Sequence, residues 1–465
     1  MEDLSLRADF HRALDAVAPP APWLAGVVRD GLSERRKGVR RGRSGIQLLQ
    51  RPTWLLPAVA ALIAMAIVIA LVASGQLAHF YRPVPVRPPQ HGLAAPAGCP
   101  GWSANPSNGG AAPASDRMTS LSDGWASGAL RTTDGGAHWQ HVAPDNMLSD
   151  APKATDPKAH PPGYVDYFLD SNHAWLAYGY PSNSSCFDHV TVFSTADGGQ
   201  SWKRSRPVDA AVQADSSLQL QLDFIDAQHG WLMVLGEGRI VPDWLVYTTA
   251  NGGLDWQLLS QIPLMTSFCS VEFISRTVGF LGDCQNTSGP IPLLTVTRDG
   301  GKTWASVPLP TPVGGQFTVS KPVFFDLFQG IIHVNVQTFH DNTETPSDYL
   351  AVTSDGGTTW RALPQLSIPG YGQAFAFIDI SHFFVLVSDG KGSTESIYRT
   401  ADGGRTWSAA GDLPPMFQSY PEVMFIDSQH GFVDEPGQKI GDGPLAFIST
   451  SDGGRTWKDL HPQVS

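Results

Sequence analysis

The sequence predicts an all-β protein, a β-propeller of seven four-stranded antiparallel blades, and two recurring motifs support this prediction. The first motif reads Thr, any residue, Asp or Asn, Gly, Gly, two variable residues and Trp, and it occurs seven times. The second is a hairpin motif that precedes each copy. Its clearest example is Phe224–Trp231, and Phe425–Phe432 nearly duplicates it. Self-similarity at a period near ~50 residues is typical of propellers and solenoids.

Each eight-residue motif is predicted to form a tight turn between the third and fourth strands of a blade. A glycine supplies the positive φ that such a turn needs, and the acidic side chain accepts hydrogen bonds from backbone N–H groups of its own turn. The tryptophan begins the fourth strand, where its ring can be buried. The third positions, which we assign a structural role, are Asp134, Asp197, Asn251, Asp299, Asp355, Asp402 and Asp452. The tryptophans, also assigned a structural role, are Trp139, Trp202, Trp256, Trp304, Trp360, Trp407 and Trp457.

The hairpin motif supplies the first half of each unit. Apolar runs flank its polar turn, so one unit reads strand A, turn, strand B, loop, strand C, eight-residue turn, strand D. A lone sheet of this kind cannot bury its faces, so the blades must pack on one another around a channel. The A–B turns and the eight-residue turns then lie on one side of the ring, here called the turn face. The B–C and D–A loops lie on the other, here called the loop face.

The eight-residue motif resembles the Asp box, or BNR repeat, of sialidases, sortilin-type receptors and some glycanases. Combined with the Phe-x-Asp-x-x-x-Gly-Trp hairpin, it makes residues 114–461 resemble the Ycf48/HCF136-type photosystem II assembly-factor propellers of the WD40/YVTN/BNR-like superfamily. Members of that family are non-catalytic scaffolds that hold a client membrane protein during assembly. The resemblance therefore implies a scaffold that needs no cofactor. The third box departs from the pattern at Asn251, and because Asn can also cap the turn, we expect local weakening only.

A membrane anchor is predicted over residues 54–74, because Trp54–Ala73 is a run of 20 uncharged, mostly apolar residues. A basic cluster at Arg35–Arg43 precedes it, and the positive-inside rule then places residues 1–53 in the cytoplasm and the propeller outside. A cleaved signal peptide is the alternative, but the preceding segment is too long for an ordinary n-region. We expect a single-pass protein of the cell membrane. Residues 75–113, rich in Pro, Ala and Gly, are predicted to be a stiff stalk that lifts the propeller domain, residues 114–465, off the membrane.

The four cysteines all follow the predicted anchor, and they allow three pairings. Cys269 and Cys284 lie on either side of the predicted A–B turn of blade 4, at directly opposed strand positions within disulfide reach. Export makes oxidation plausible, so we predict Cys269–Cys284 and, by elimination, Cys99–Cys186. No spacing fits a zinc site, and no metal is predicted.

An enzyme is the first alternative function, because Asp boxes are frequent in sialidases. The boxes are not catalytic there, and those enzymes also carry an Arg-Ile-Pro motif that this chain lacks. Asp–His pairs recur in the A–B turns of four blades, but equivalent turns are spread around a ring and cannot converge on one metal ion. We therefore predict no catalytic residue.

Binding is predicted on the loop face, since variable loops on a rigid scaffold usually carry specificity. Exposed aromatic and polar side chains there suit a protein partner or a glycan. The candidates are Tyr180, Arg239, Trp244, His340, Tyr371, Phe417 and Tyr420. The formal net charge of −12 argues against nucleic acid.

The sequence thus favours a membrane-anchored, extracytoplasmic scaffold that binds another membrane or envelope protein. Two alternatives stay open. One is a glycan-active enzyme or lectin of the sialidase or glycosidase type. The other is an envelope sensor, in which the propeller senses outside and the basic segment reports inside.

Overall fold

The computed structural model describes residues 83–84, 117–144, 163–183, 186–213, 218–236, 243–263, 270–282, 285–286, 292–310, 316–340, 343–388, 395–415, 421–434 and 447–465. The chain divides into two compact units, Met1–Val72 and Ala73–Ser465, and all described residues belong to the second. The predicted cytoplasmic segment, transmembrane helix and most of the stalk lie outside the described residues. Among those described, no helix is long and apolar enough to span a membrane.

Seven antiparallel sheets, each with strands A to D in sequential order, confirm the predicted seven-bladed propeller. The A strands are Arg117–Met118, Gly163–Phe168, Leu218–Phe224, Ser270–Phe273, Gln316–Val319 with Val323–Phe324, Tyr371–Phe377 and Glu422–Phe425. The B strands are Gly124–Ala126, Ala174–Asn183, Gly230–Gly236, Gly279–Gly282, Gly330–His340, Phe383–Ser388 and Gly431–Asp434. The C strands are Leu130–Thr132, Cys186–Thr195, Asp243–Thr249, Leu293–Thr297, Thr343–Thr353, Glu395–Thr400 and Ile448–Thr450. The D strands are His138–His141, Lys203–Arg204 with Val208–Gln213, Gln257–Pro263, Trp304–Pro308, Arg361–Ala362, Ser408–Asp412 and Lys458–Asp459.

Three short strands extend these sheets. Pro83–Val84 pairs with strand D of blade 4, so part of the predicted stalk lies on the outer edge of that blade. Gln285–Asn286 pairs with strand A of blade 5. Gln463–Val464 runs parallel to strand D of blade 1.

The ring is closed by contacts between blade 7 and blade 1. Gln463 and Val464 pair with His138 and Trp139, which adds the C-terminal strand to the outer edge of the first blade. Phe432 and Phe447 of blade 7 belong to one buried cluster with Trp139 and other apolar residues of blade 1. The chain therefore closes the ring with both a backbone strand and a hydrophobic interface.

The hairpin motif recurs because it builds the interface between neighbouring blades. In blades 2, 3, 4, 5 and 7 its first Phe stacks on an aromatic ring of the preceding blade, with centroids 3.6 Å apart for Trp231 and Phe273 and 3.7 Å apart for Trp175 and Phe224. Such stacked pairs stabilise an interface beyond their buried area. The motif's Gly230 is needed for space, because a Cβ there would lie 2.4 Å from the Phe224 ring.

Candidate functional site

The Asp boxes use their polar side chains within their own turns. In blade 6 the hydroxyl of Thr400 donates to Asp402 at 2.9 Å and accepts the N–H of Gly404 at 2.9 Å. The carboxylate of Asp402 also accepts the N–H and the hydroxyl of Thr406, at 2.9 and 2.6 Å. The hydrogen bond from the Thr406 hydroxyl is the main reason why the pKa of Asp402 falls to about 2. Such a carboxylate is a turn cap, ionised and occupied, and is poorly placed for acid–base chemistry.

The third box has Asn251 and Asp255 at the positions where several other boxes have Asp and Thr, and these two side chains still bond to each other. The carbonyl oxygen of Asn251 accepts the N–H of Asp255 at 3.0 Å, as an Asp would. Its amide group donates to the carboxylate of Asp255 at 2.9 Å. The substitution therefore preserves the turn, because residue 255 supplies an acceptor where several other boxes have a Thr hydroxyl donor.

The Asp–His pairs of the A–B turns are local contacts. In blade 3 the Asp226 carboxylate accepts the backbone N–H groups of Gln228 and His229, each at 2.8 Å. The Nδ1 atom of His229 lies 2.9 Å from the same carboxylate. Equivalent pairs occur at Asp170 with His173, Asp379 with His382, and Asp427 with His430. Within the described residues, no group of His, Cys, Asp and Glu side chains is arranged to hold a metal ion.

Trp244 requires a correction, because it was predicted to be an exposed binding residue of the loop face. Strand C of blade 3 already begins at Asp243, so Trp244 is a strand residue. Its side chain is 0% exposed and belongs to a buried cluster with Val271, Phe273 and Trp304 of blade 4. The ring supports packing between blades and cannot contact a partner at the surface.

The remaining loop-face candidates stay predictions. The backbones of Tyr180, His340 and Tyr371 lie in strands, close to the loop-face ends that the prediction requires. Arg239, Phe417 and Tyr420 lie outside the described residues. The predicted disulfides are also outside them, since only the backbone of Cys186 is described and Cys99, Cys269 and Cys284 are not.

A chain of polar contacts along the A strands was not predicted from the sequence. The A strands contact one another between blades 2 and 3, blades 3 and 4, and blades 6 and 7, which places them at the inner edge of the ring. A guanidinium N–H of Arg117 in blade 1 donates to the carbonyl of Phe168 in blade 2 at 2.8 Å. The hydroxyl of Tyr167 in blade 2 donates to the carbonyl of Phe224 in blade 3 at 3.0 Å. Each contact joins one blade to the backbone of the next.

The same chain continues through blades 3, 4 and 5. The carboxyl group of Asp223 in blade 3 accepts the N–H of Phe273 in blade 4 at 2.5 Å. Glu272 of blade 4 forms an ion pair with Lys321 of blade 5, with a Nζ–Oε2 distance of 2.9 Å. We call Arg117, Tyr167, Asp223 and Glu272, with Lys321, the inner-edge contacts.

Asp223 has the most perturbed acid group of this set. The residue is 1% exposed, and burial, followed by the charge of Glu272, raises the pKa of its carboxyl group to about 7. The charge of Lys321 and the hydrogen bond from Phe273 act in the opposite direction. A carboxyl group with a pKa near neutrality is a usual sign of a catalytic acid. Here, however, the group is buried and bonded to backbone, so a substrate cannot reach it without opening the interface.

Asp348 connects blades 5 and 6 in a comparable way, but from strand C. Its carboxylate accepts the N–H of Gly372 at 2.8 Å and the amide of Asn335 at 3.0 Å, and it lies 2.8 Å from Nε2 of His333. Burial alone would raise the pKa of Asp348, but these partners, His333 first among them, hold it below its ordinary value.

Two grooves open on the turn face between neighbouring blades. The larger, of about 870 Å³, lies between blades 1 and 2, and its lining includes Arg131, Asn172, Gln200 and Trp202. The smaller, of about 410 Å³, lies between blades 6 and 7 and includes Arg399, equivalent in its blade to Arg131. The Arg131 guanidinium is fixed by Asp123 at 2.6 Å and lies over the Trp125 ring. Both grooves are therefore polar and lined by side chains of two blades.

No protein-family model matches the chain, and no curated protein matches it in sequence. Among solved structures it is similar to a YCF48 bound to a D1 peptide, with 16% identity over 65% of this chain and 83% of that one and a TM-score of 0.40. It is also similar to the YCF48 of Cyanidioschyzon merolae, with 14% identity over 64% of this chain and 85% of that one and a TM-score of 0.37.

A GH74 xyloglucanase from Xanthomonas campestris is similar at 12% identity, over 75% of this chain and 56% of that one, with a TM-score of 0.43. The chain is thus similar to Ycf48 propellers, as the two motifs predict, and to propeller enzymes as well. These distant similarities do not decide between a scaffold and an enzyme, and the fold assignment rests on the seven sheets themselves.

Proposed function

We propose that the protein is a single-pass, membrane-anchored propeller that lies outside the cytoplasm and acts as a non-catalytic scaffold for another membrane or envelope protein. The observation that carries the proposal is the use of acidic side chains in the described residues. The box carboxylates cap their own turns, and Asp223 and Asp348 are buried between blades. Catalysis by a pair of carboxyl groups needs both groups at an open cleft. These described carboxyl groups instead strengthen a frame that presents the loop face.

The partner is expected to bind the loop face, which the B–C and D–A loops form. The test is affinity capture of the full chain from solubilised membranes after cross-linking. We expect a discrete partner that is lost when Tyr371 and Tyr420 are both changed to Ala. Phe328→Ala, which removes an exposed ring from the turn face, is the matched control and should retain the partner. Loss of the partner in the control alone, or capture of no discrete protein, would refute the assignment.

Membrane anchorage and orientation are tested separately. Protease added outside intact cells should digest the propeller, and an epitope tag placed before Met1 should be protected. Carbonate at high pH should leave the chain in the membrane, because a spanning helix is held by its apolar length and not by charge. Release by carbonate would contradict an uncleaved anchor.

A lectin is the second candidate, and the groove between blades 1 and 2 is the observation that favours it. Its Arg, Asn, Gln and Trp side chains combine hydrogen-bonding groups with an aromatic surface, as small-molecule sites commonly do. A glycan array probed with the full chain distinguishes the two functions. Binding that is lost in Gln200→Ala would support the lectin, whereas no binding on the array would leave the scaffold as the function.

A further inference from the structure

Three large apolar side chains are exposed on the turn face, in blades 1 and 5. Leu121 is 49% exposed in the A–B turn of blade 1, and Leu327 and Phe328 are 55% and 62% exposed in that of blade 5. Leu121 and Leu327 occupy the same position of the repeat, where blade 3 has Ala227. Among the described side chains, the one other exposed large apolar residue is Leu293, at the start of strand C in blade 4. The exposed apolar side chains are therefore concentrated on the turn face.

Both of these turns are held in shape by the box of their own blade. The N–H of Gly135 in the blade 1 box donates to the carbonyl of Ser122 at 2.8 Å. The N–H of Gly356 in the blade 5 box donates to the carbonyl of Phe328 at 3.0 Å. A segment that is already ordered loses little conformational entropy on binding. The apolar side chains are thus preorganised for contact with a partner.

The turn face of blade 4 is the basic sector of the ring. Its A–B turn and its box contain Arg276, Arg298 and Lys302, all exposed, against one acidic residue, Asp299. In the part of the chain that the structure describes, no hydrogen bond or ion pair is found for the three basic side chains. Their charges are therefore available to a partner.

The turn face of blade 2 is acidic. Its A–B turn and its box contain Asp170 and Asp197 and neither Lys nor Arg. Each carboxylate caps its own turn and stays partly exposed. The corresponding turns of blades 1, 3 and 5 also contain acidic residues and neither Lys nor Arg. One face of a single ring thus has a basic sector and acidic sectors.

The order of the blades determines which sectors meet when two copies associate through this face. Two rings that meet turn face to turn face are related by a two-fold axis lying between them, and each contributes the same surface. The blades of one ring then run against the order of the other. If blade 5 of one copy faces blade 1 of the second copy, blade 4 faces blade 2, blade 3 faces its own counterpart, and blade 6 faces blade 7.

This arrangement matches apolar with apolar and basic with acidic. Leu327 and Phe328 face Leu121, and the basic sector of blade 4 faces the acidic turns of blade 2, each pairing occurring twice in the dimer. A ring of seven blades allows seven two-fold arrangements of this kind, and each of the other six breaks both pairings. The one that brings the two blade 5 turns together places blade 4 opposite blade 6, which has Arg405 in its box.

The remaining facing sectors contain charges that are partly balanced. In blade 3, which faces its own counterpart, Asp255 is already paired with Arg206 at 3.1 Å. Blades 6 and 7 face each other with one box arginine each, Arg405 and Arg455, beside their acidic residues. These sectors therefore add less repulsion than purely acidic turns would.

We propose that the protein forms a two-fold dimer whose copies meet turn face to turn face, with blade 5 of each on blade 1 of the other and blade 4 on blade 2. Leu121, Leu327 and Phe328 supply the apolar contacts, and the basic side chains of blade 4 face the carboxylates of blade 2. A second copy is the occupant because both complementary surfaces lie on one molecule. The dimer leaves the loop faces of both copies free, and the inference does not depend on membrane anchorage.

The experiment measures the protein mass of the full chain in a large excess of detergent micelles, by size-exclusion chromatography with light scattering at increasing protein concentration. One copy has a mass of 50.0 kDa, and we expect this mass to double as the concentration rises. Because opposite charges contribute, raising sodium chloride from about 0.05 M to about 0.5 M should weaken the dimer roughly tenfold.

Reversal of the basic sector tests the charge pairing. The first variant combines Arg276→Glu, Arg298→Glu and Lys302→Glu. It places acidic turns opposite acidic turns, and we expect the Kd of the dimer to rise at least roughly tenfold. Asp412→Lys, which reverses an exposed charge at the loop-face end of strand D in blade 6, is the control and should leave the Kd unchanged.

A second variant gives blade 2 the basic residues that blade 4 has at the same repeat positions. It combines Ser171→Arg, Ala196→Arg and Gln200→Lys. Basic turns then face basic turns, and the dimer should weaken as it does in the first variant. Combining the two variants restores opposite charges and should restore the dimer. Hydrogen exchange of the core strands checks that each variant keeps the fold.

The apolar contacts are tested in the same assay. Leu327→Ala with Phe328→Gln gives blade 5 the residues of blade 3 and should raise the Kd at least roughly tenfold. Leu121→Ala should also weaken the dimer. Because these side chains face each other, Leu121→Ala should have a smaller effect in the blade 5 variant than in the unchanged chain.

Three results would overturn the inference, and each has a different meaning. A monomer at every concentration would leave another protein or a lipid surface as the occupant of the patch. A dimer that both charge variants leave intact would be held together elsewhere, for example by the predicted anchors. If both charge variants break the dimer and their combination does not restore it, blade 4 does not face blade 2.

Discussion

Substitution of Asp223 by Asn tests whether the inner-edge contacts make the stability of the ring depend on pH. The carboxyl group is buried, accepts the N–H of Phe273 at 2.5 Å, and lies near the charge of Glu272. Asn keeps the size of the side chain and an acceptor oxygen but cannot ionise. The variant therefore removes the titration with little change in packing.

The size of the effect follows from the shift in pKa. Burial raises the pKa of Asp223 from 3.8 to about 7, and each unit of difference between folded and unfolded states is worth about 1.36 kcal/mol. The full difference is about 4 kcal/mol. Because the folded pKa is raised, the protonated group's contribution is complete below pH 3.8 and is lost as the pH rises towards and through about 7. The unchanged chain should lose stability over this window, and Asp223→Asn should lose less.

The assay is urea unfolding of the detergent-solubilised full chain, followed by tryptophan fluorescence between pH 4 and pH 8. Asp348→Asn is the matched control, because its pKa is lowered and not raised. That carboxylate stabilises the fold above pH 3.8 and loses its contribution as the pH falls below this value, so Asp348→Asn should be destabilised at pH 7. If the unchanged chain and Asp223→Asn lose stability in parallel from pH 4 to pH 8, the reasoning about Asp223 is wrong.

Three further predictions concern other contacts. Asn251→Asp should lower the Tm by roughly 1–3 °C, because it replaces the amide that donates to Asp255 by a second carboxylate. Adding Asp255→Thr restores the consensus pair and should recover the Tm, and a Tm that does not recover would contradict the compensation. Deleting residues 463–465 removes three backbone hydrogen bonds to blade 1 and should cost about 3 kcal/mol in urea unfolding; an unchanged midpoint would mean that the hydrophobic contact alone closes the ring. Trp231→Phe leaves the carbonyl of Gly300 without its 3.0 Å indole donor, and should cost about 1–2 kcal/mol, with Trp231→Leu costing clearly more.

The blades could be predicted from the sequence because their turns are specified locally. Each Asp box holds its threonine, carboxylate and glycines within one turn, so the motif carries its own structural explanation. The loop face is less predictable. Trp244 was misplaced because the bounds of a strand depend on its neighbours. Trp244 is buried against blade 4 because strand C already starts at Asp243, and no residue of the preceding loop marks that start in the sequence.

The inner-edge contacts show a different limit of prediction. Their polar residues can be recognised in the aligned repeats, but the sequence does not show what those residues bind. The residue before the first Phe of the hairpin motif, or before Met118 in blade 1, is Arg117, Tyr167, Asp223 and Glu272 in blades 1 to 4, and Val323, Ala376 and Met424 in blades 5 to 7. Aligned repeats therefore reveal a polar half and an apolar half. Only the closed ring shows that each polar side chain reaches the next blade, because its partner lies about fifty residues away. The partner is a backbone group for the first three side chains and the Lys321 ammonium group for Glu272. The inner edge is thus joined by hydrogen bonds and charge from blade 1 to blade 5, and at this repeat position blades 5 to 7 carry apolar side chains instead. A rise in pH towards and through about 7 should therefore loosen the ring first between blades 3 and 4, where Asp223 contacts Phe273.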